Sequence, residues 1–95
     1  EQEGAKHVYH LYVVLVNDRQ DFMAHLKEKG IETGVHYPQA LHQLTAFADY
    51  DFPSRSFPNA ERVARHGVSL PMCPTLTAQD IDRVTDAVRS YFRLP

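Results

Sequence analysis

With 95 residues, of which 43% are hydrophobic and 23% charged, the chain has the size and composition of one small globular domain, not of a disordered segment. Its formal net charge of −2 gives no basis for binding nucleic acid or an anionic membrane, and no apolar run approaches the roughly 18 residues of a membrane span. The single cysteine, Cys73, excludes an internal disulfide, and we expect a cytoplasmic protein.

The first half of the chain predicts a strand, a helix and a second strand. Residues 7–16 are rich in β-branched and aromatic side chains, and the unbroken apolar run Leu11–Val16 predicts a strand that is covered on both faces. A helix follows, with Asp18 as a candidate N-cap and Gly30 just past its C-terminal end. The second strand is predicted over residues 32–37, immediately before a proline that ends it.

The second half predicts two further helices and a short strand. Residues 39–55 are the least regular stretch and include a turn at 52–54. A helix is predicted over 57–66, and it is followed by a third strand at Val68–Leu70. The spacing of Thr77 and Asp80 is that of a capping box, which predicts the start of a final helix.

This order of elements predicts an α/β fold in which a small, mixed, three-stranded sheet packs with about three helices as a two-layer sandwich. A right-handed crossover makes the first two strands parallel, and the third strand can lie antiparallel beside them or between them. We expect residues 1–6 to be a lead-in or linker and residues 7–95 to form a single domain.

Six histidines make a metal site worth testing, but they occur in no CxxC, HxxxH or HExxH spacing, so no metal ligands are predicted. Cys73 precedes the final helix by several residues and is interpreted as a small packing residue, not as a nucleophile. The four glycines are isolated and form no phosphate-binding loop. The pattern therefore identifies no catalytic residue and no cofactor-binding residue in this chain.

The strongest candidate binding residues are His36 and Tyr37, at the end of the second predicted strand, with His42 in the loop that follows. Imidazole and phenol groups hydrogen-bond sugar hydroxyls, and a tyrosine ring can stack on a sugar ring. In the alternative interpretation, Tyr37 is a core aromatic residue and His36 is solvated. The residues alone leave both interpretations open.

Three stretches of the sequence, in this order, resemble one known family. Residues 7–14 (HVYHLYVV) are similar to the opening strand of the C-terminal domain of PLP-dependent nucleotide-sugar aminotransferases of the DegT/DnrJ/StrS type. Residues 30–38 (GIETGVHYP) with Leu41-His42 resemble the HYP region of that family. Residues 57–64 (FPNAERVA) and 69–77 (SLPMCPTLT) resemble its closing segment.

The resemblance implies the C-terminal domain of a fold-type-I PLP transferase that works as a homodimer. It implies a nucleotide-linked keto-sugar as amino acceptor, glutamate as amino donor, and pyridoxal phosphate (PLP) bound to a lysine of the large domain. Substrate contact is carried over to His36, Tyr37 and His42, because the HYP region of the family lies toward the sugar.

The resemblance also implies that this chain alone is inactive and binds no PLP. Its three lysines, Lys6, Lys27 and Lys29, lie in the lead-in and on a solvated helix. Some relatives carry histidine at the lysine position and dehydrate the sugar, so aminotransferase and dehydrase both remain open. A free-standing α/β module that binds a small molecule or a partner protein is the alternative from a different functional class.

Overall fold

The computed structural model of the chain describes residues 2–52 and 56–94. Its strands and helices are β1 (Tyr12–Leu15), α1 (Arg19–Glu28), α2 (Pro58–His66), β2 (Gly67–Leu70) and α3 (Ala78–Phe92). Two short 3₁₀ helices, Leu41–Gln43 and Thr45–Phe47, lie in the irregular stretch. The turn predicted at 52–54 falls mostly outside the described residues. None of the described helices is long and apolar enough to cross a membrane.

The sheet has two strands within the described residues, instead of the three that the sequence predicts. The segment predicted as the second strand, 32–37, contributes one antiparallel bridge, in which Gly34 and Ser69 exchange backbone hydrogen bonds of 3.0 and 2.8 Å. On either side of this bridge, the Ile31 N–H bonds back to Leu26 of α1 and Pro38 has no N–H, so neither residue donates to the sheet. The predicted strand is thereby reduced to a single residue pair.

The central position in this arrangement belongs to β2. It pairs antiparallel with β1 on one side, and its Ser69 pairs with Gly34 on the other. The short third strand of the prediction therefore lies between the other two segments, which is one of the two arrangements that the sequence allows. The Gly34 segment runs in the same direction as β1.

One face of the sheet is covered by α1 and α3. Phe22 and Leu26 lie one turn apart on α1, and together with Val68 of β2 they are fully buried. Complete burial of a side chain of this size contributes about 1.5–3 kcal/mol. The buried members of the cluster are Val16, Phe22, Leu26, Ile31, Val68 and Ala87.

The other face of β1 is open, contrary to the expectation of cover on both faces. Val13 is 41% exposed and Leu15 43% exposed, so α2 covers this face only in part. The Cα radius of gyration is 16.2 Å. A compact domain of this length has a radius of gyration of about 12 Å. The described elements are therefore less compact than a typical domain of this length, and they enclose a thin core.

The start of α3 has the capping box that the sequence predicts. The Asp80 N–H donates to Thr77 Oγ1 at 3.2 Å, and the Thr77 N–H donates to Asp80 Oδ2 at 2.9 Å. The Thr77 hydroxyl donates a further hydrogen bond to the same carboxylate oxygen at 2.6 Å. These bonds lower the pKa of Asp80, since they favour its ionised form.

We expect Thr77→Ala to lower the free energy of unfolding by about 1 kcal/mol, because it leaves the Asp80 N–H in the first turn of α3 without its side-chain acceptor. Urea denaturation of the chain measures this loss. The matched control is Thr75→Ala, since the Thr75 hydroxyl contacts only the exposed Cys73 thiol among the hydrogen bonds described. Equal losses for the two variants would contradict a capping role for Thr77.

Candidate functional site

The Gly34–Ser69 bridge fixes the segment that carries His36 to the edge of the sheet. Beyond the bridge, the His36 Nδ1 atom lies 2.9 Å from the Ser69 hydroxyl oxygen. The imidazole also packs on the Cα of Gly34, where an added Cβ would lie only 2.7 Å from His36 Cε1. A side chain at position 34 would therefore displace the ring.

Tyr37 lies at the same exposed edge and is not part of the core. Its side chain is 72% exposed, and its ring meets that of His36 edge-to-face with centroids 5.5 Å apart. The peptide bond between the two residues is cis. Of the two interpretations that the sequence leaves open, the one that makes Tyr37 a core aromatic residue is therefore wrong.

A cleft of about 200 Å³ adjoins His36. Its polar lining groups lie just before β1, on both sides of Gly34 and on β2, and they are His10, Glu32, Thr33, His36 and Ser69. Sequence reasoning identified only His36 among them. A polar residue inside the short apolar strand at 68–70 was the one signal that could have identified Ser69 in advance.

His42 is held away from solvent by a different set of contacts. Its Nε2 lies 3.0 Å from Glu61 Oε1, and the two side chains are only 10% and 20% exposed. The imidazole also packs against the ring of Phe57, with centroids 4.8 Å apart. Within the described residues, no hydrogen bond or ring contact links His42 to His36 or Tyr37.

Glu61 joins the loop that carries His42 to the start of α2. Its Oε1 accepts the Phe57 N–H at 3.0 Å in addition to the bond with His42. The Phe57 N–H is the main cause of a pKa for Glu61 below the ordinary 4.5, and His42 lowers that pKa further. Because an ionised carboxylate only accepts hydrogen bonds, His42 Nε2 carries the proton and its Nδ1 is the remaining polar atom.

The remaining candidates are a metal site and the Cys73 thiol. Among residues 2–52 and 56–94, no three His, Cys, Asp or Glu side chains are placed to hold a metal ion. Cys73 is exposed, which corrects its interpretation as a packing residue. Hydrogen bonds from Thr75 lower the pKa of the Cys73 thiol.

Comparison with known proteins gives concordant matches. A family model described as the DegT/DnrJ/EryC1/StrS aminotransferase family matches residues 1–89. The chain is 38% identical over 85 residues to dTDP-3-amino-3,6-dideoxy-alpha-D-galactopyranose transaminase of Aneurinibacillus thermoaerophilus, a match that covers 90% of this chain and 23% of that protein. It is 40% identical over 84 residues to dTDP-3-amino-3,4,6-trideoxy-alpha-D-glucose transaminase of Streptomyces venezuelae, a match that covers 88% of this chain and 22% of that protein.

The fold of the chain also matches a solved structure. The solved structure of S. venezuelae DesV in complex with a ketimine intermediate superposes with a TM-score of 0.83 at 40% identity. That match covers 90% of this chain and 23% of the DesV chain. The chain thus spans less than a quarter of the length of the relatives that it matches.

The lowered pKa of Glu61 predicts a pH-dependent contribution to stability. The ionised carboxylate stabilises the fold at pH values above the ordinary pKa of 4.5, and this contribution is lost as the pH falls through the lowered value. Glu61→Gln should therefore be less stable than the wild type at neutral pH, and the difference should shrink below about pH 4.5.

Urea denaturation at neutral pH and in acid measures this difference. Glu28→Gln, at an exposed position on α1, is the matched control. If Glu61→Gln and Glu28→Gln have the same free energy of unfolding at both pH values, the Glu61 contacts do not stabilise the fold.

Proposed function

Since the chain belongs to the DegT/DnrJ/EryC1/StrS aminotransferase family, we propose that it is the C-terminal, substrate-side domain of an aminotransferase that acts on a nucleotide-linked keto-sugar. The observation that carries this proposal is the family match over residues 1–89, together with similar coverage by relatives named as dTDP-amino-sugar transaminases. Those names favour amino transfer over sugar dehydration. Glutamate is the proposed amino donor.

The cofactor of the proposed enzyme is PLP, and the residues of this chain do not fit a PLP site. Such a site needs a lysine for covalent attachment and donors for the phosphate group. The three lysines, Lys6, Lys27 and Lys29, are all exposed, the first before β1 and the others at the end of α1. We therefore assign PLP binding to the part of the protein outside this chain.

The exposed edge at His36 and Tyr37 is the part of the chain best suited to meet a sugar. No hydrogen bond engages His36 Nε2 within the described residues, and the phenol of Tyr37 is open to solvent. Both groups can hydrogen-bond hydroxyls, and the tyrosine ring can cover an apolar sugar face. His42 is the third proposed contact, and it would use Nδ1 because Glu61 engages Nε2.

The full-length protein is proposed to be a cytoplasmic homodimer. The exposed apolar side chains of β1 and the thin core support packing against a further protein surface. The lone, exposed thiol of Cys73 suits a reducing compartment.

We predict that the purified 95-residue chain neither transaminates nor binds PLP stoichiometrically, because its three lysines are exposed and its isolated glycines form no phosphate-binding loop. Absorbance titration with PLP, followed by borohydride reduction and mass spectrometry, measures binding at each lysine. The full-length protein is the positive control. Saturable labelling of a single lysine at one equivalent of PLP would show that the assignment is wrong.

In the full-length enzyme, His36→Ala and Tyr37→Phe should each lower kcat/KM for the sugar. Loss of one hydrogen bond to a bound hydroxyl costs about 0.5–1.5 kcal/mol, which corresponds to roughly 2- to 12-fold. The half-reaction with glutamate should change much less, since the amino donor meets PLP outside this chain. Steady-state and single-turnover kinetics with both substrates measure the two effects.

The control is Tyr50→Phe, since Tyr50 is also an exposed tyrosine, at 63%, but it packs with Phe47 and Phe52 away from the sheet edge. Equal effects of Tyr37→Phe and Tyr50→Phe on the sugar half-reaction would show that the Tyr37 hydroxyl does not bind the sugar.

A further inference from the structure

Ser69 is a polar residue in the middle of a buried strand, and its hydrogen bonds all lead to the candidate site. Its exposure is 6%. Both of its backbone groups pair with Gly34, and its hydroxyl pairs with His36 Nδ1 at 2.9 Å. A buried hydroxyl without a partner is costly, so the imidazole and the serine stabilise each other's position.

The contact of the imidazole with Gly34 restricts the ring from a second direction. An added Cβ at Gly34 would lie 2.7 Å from His36 Cε1 and 3.3 Å from Nδ1. The φ angle of Gly34 is not positive, so the backbone conformation does not require glycine here. The absence of a side chain at Gly34 matters because it lets the His36 imidazole approach the backbone. The Tyr37 ring, which meets the imidazole edge-to-face, bounds it on a further side.

We propose that Ser69 and Gly34 are positioning residues that hold the His36 imidazole with Nδ1 turned into the sheet and Nε2 presented to the sugar. This role rests on the proposed function, in which His36 contacts the substrate. It adds two residues that do not touch the substrate themselves and that act through His36.

The partner of His36 Nδ1 is a hydroxyl, and this determines which tautomers of the imidazole the contact allows. A hydroxyl both donates and accepts hydrogen bonds, so Ser69 can pair with either tautomer of neutral His36. When Ser69 donates to Nδ1, Nε2 carries the proton and can donate to a carbonyl or hydroxyl oxygen of the sugar. When Nδ1 donates to Ser69, Nε2 accepts from a sugar hydroxyl. The site therefore holds the orientation of the ring and leaves its tautomer to the ligand.

The test uses the full-length enzyme and the two dTDP-amino sugars named for the relatives above, run in reverse with 2-oxoglutarate as amino acceptor. Ser69→Ala should lower kcat/KM for the sugar by about 2- to 12-fold, the range expected for one hydrogen bond. Ser69→Thr retains the hydroxyl and should restore much of the activity. The half-reaction with glutamate should be unchanged in both variants.

A double-mutant cycle separates positioning from a general structural role. If Ser69 acts through His36, the Ser69→Ala change should have little further effect in the His36→Ala background. Gly34→Ala should reproduce the loss seen in His36→Ala, because its Cβ displaces the imidazole, and it should likewise add little in that background. Additive losses, or equal losses in both half-reactions, would overturn the positioning role.

The outcomes also distinguish this inference from the proposed function. If His36→Ala leaves sugar turnover unchanged, the proposed substrate contact fails. If His36→Ala lowers turnover but Ser69→Ala does not, the contact stands and the positioning role fails. Crystal structures of the full-length wild type and Ser69→Ala give a readout without substrate: an imidazole with the same orientation in both would overturn the role of the hydroxyl.

Discussion

The pairing of Ser69 with Gly34 is the interaction on which the candidate site depends. Two backbone hydrogen bonds join a buried residue of the central strand to a segment that has no other ladder partner within the described residues. The short segment with His36 and Tyr37 is joined to β2 by this bridge and by the contact of His36 Nδ1 with the Ser69 hydroxyl. Because β2 packs over the fully buried Phe22 and Leu26 through its own Val68, the site edge is attached to the most deeply buried part of the core.

The elements that depend on local signals were predictable from the sequence. The Thr77–Asp80 capping box, the apolar spacing of Phe22 and Leu26, and the glycine at position 30 all act within one or two helical turns. The second strand could not be assigned in the same way. Its composition suits a strand, but the extent of its pairing depends on Ser69, which lies far along the chain, and on where Pro38 interrupts the ladder.

The candidate site was predictable as a location but not as a set of contacts. The position of His36 and Tyr37 before Pro38 indicated a candidate strand end but left a buried Tyr37 open, and the structure places this tyrosine in solvent at the sheet edge. The environment of His42 could not be anticipated, because its partner Glu61 is 19 residues away on a separate helix. Residue spacing also does not reveal that the imidazole of His36 occupies the space where a side chain at position 34 would lie.

The two edges of the small sheet differ in how readily they can accept another strand. On the Gly34 side, pairing stops after one residue and Pro38 follows, so the open hydrogen-bonding groups are few. On the β1 side, the apolar sequence YVVL has a pairing partner on one edge only within the described residues, and three of its side chains are substantially exposed. Strand addition, and with it edge-to-edge aggregation of the chain on its own, is therefore favoured at β1 and not beside the candidate sugar site.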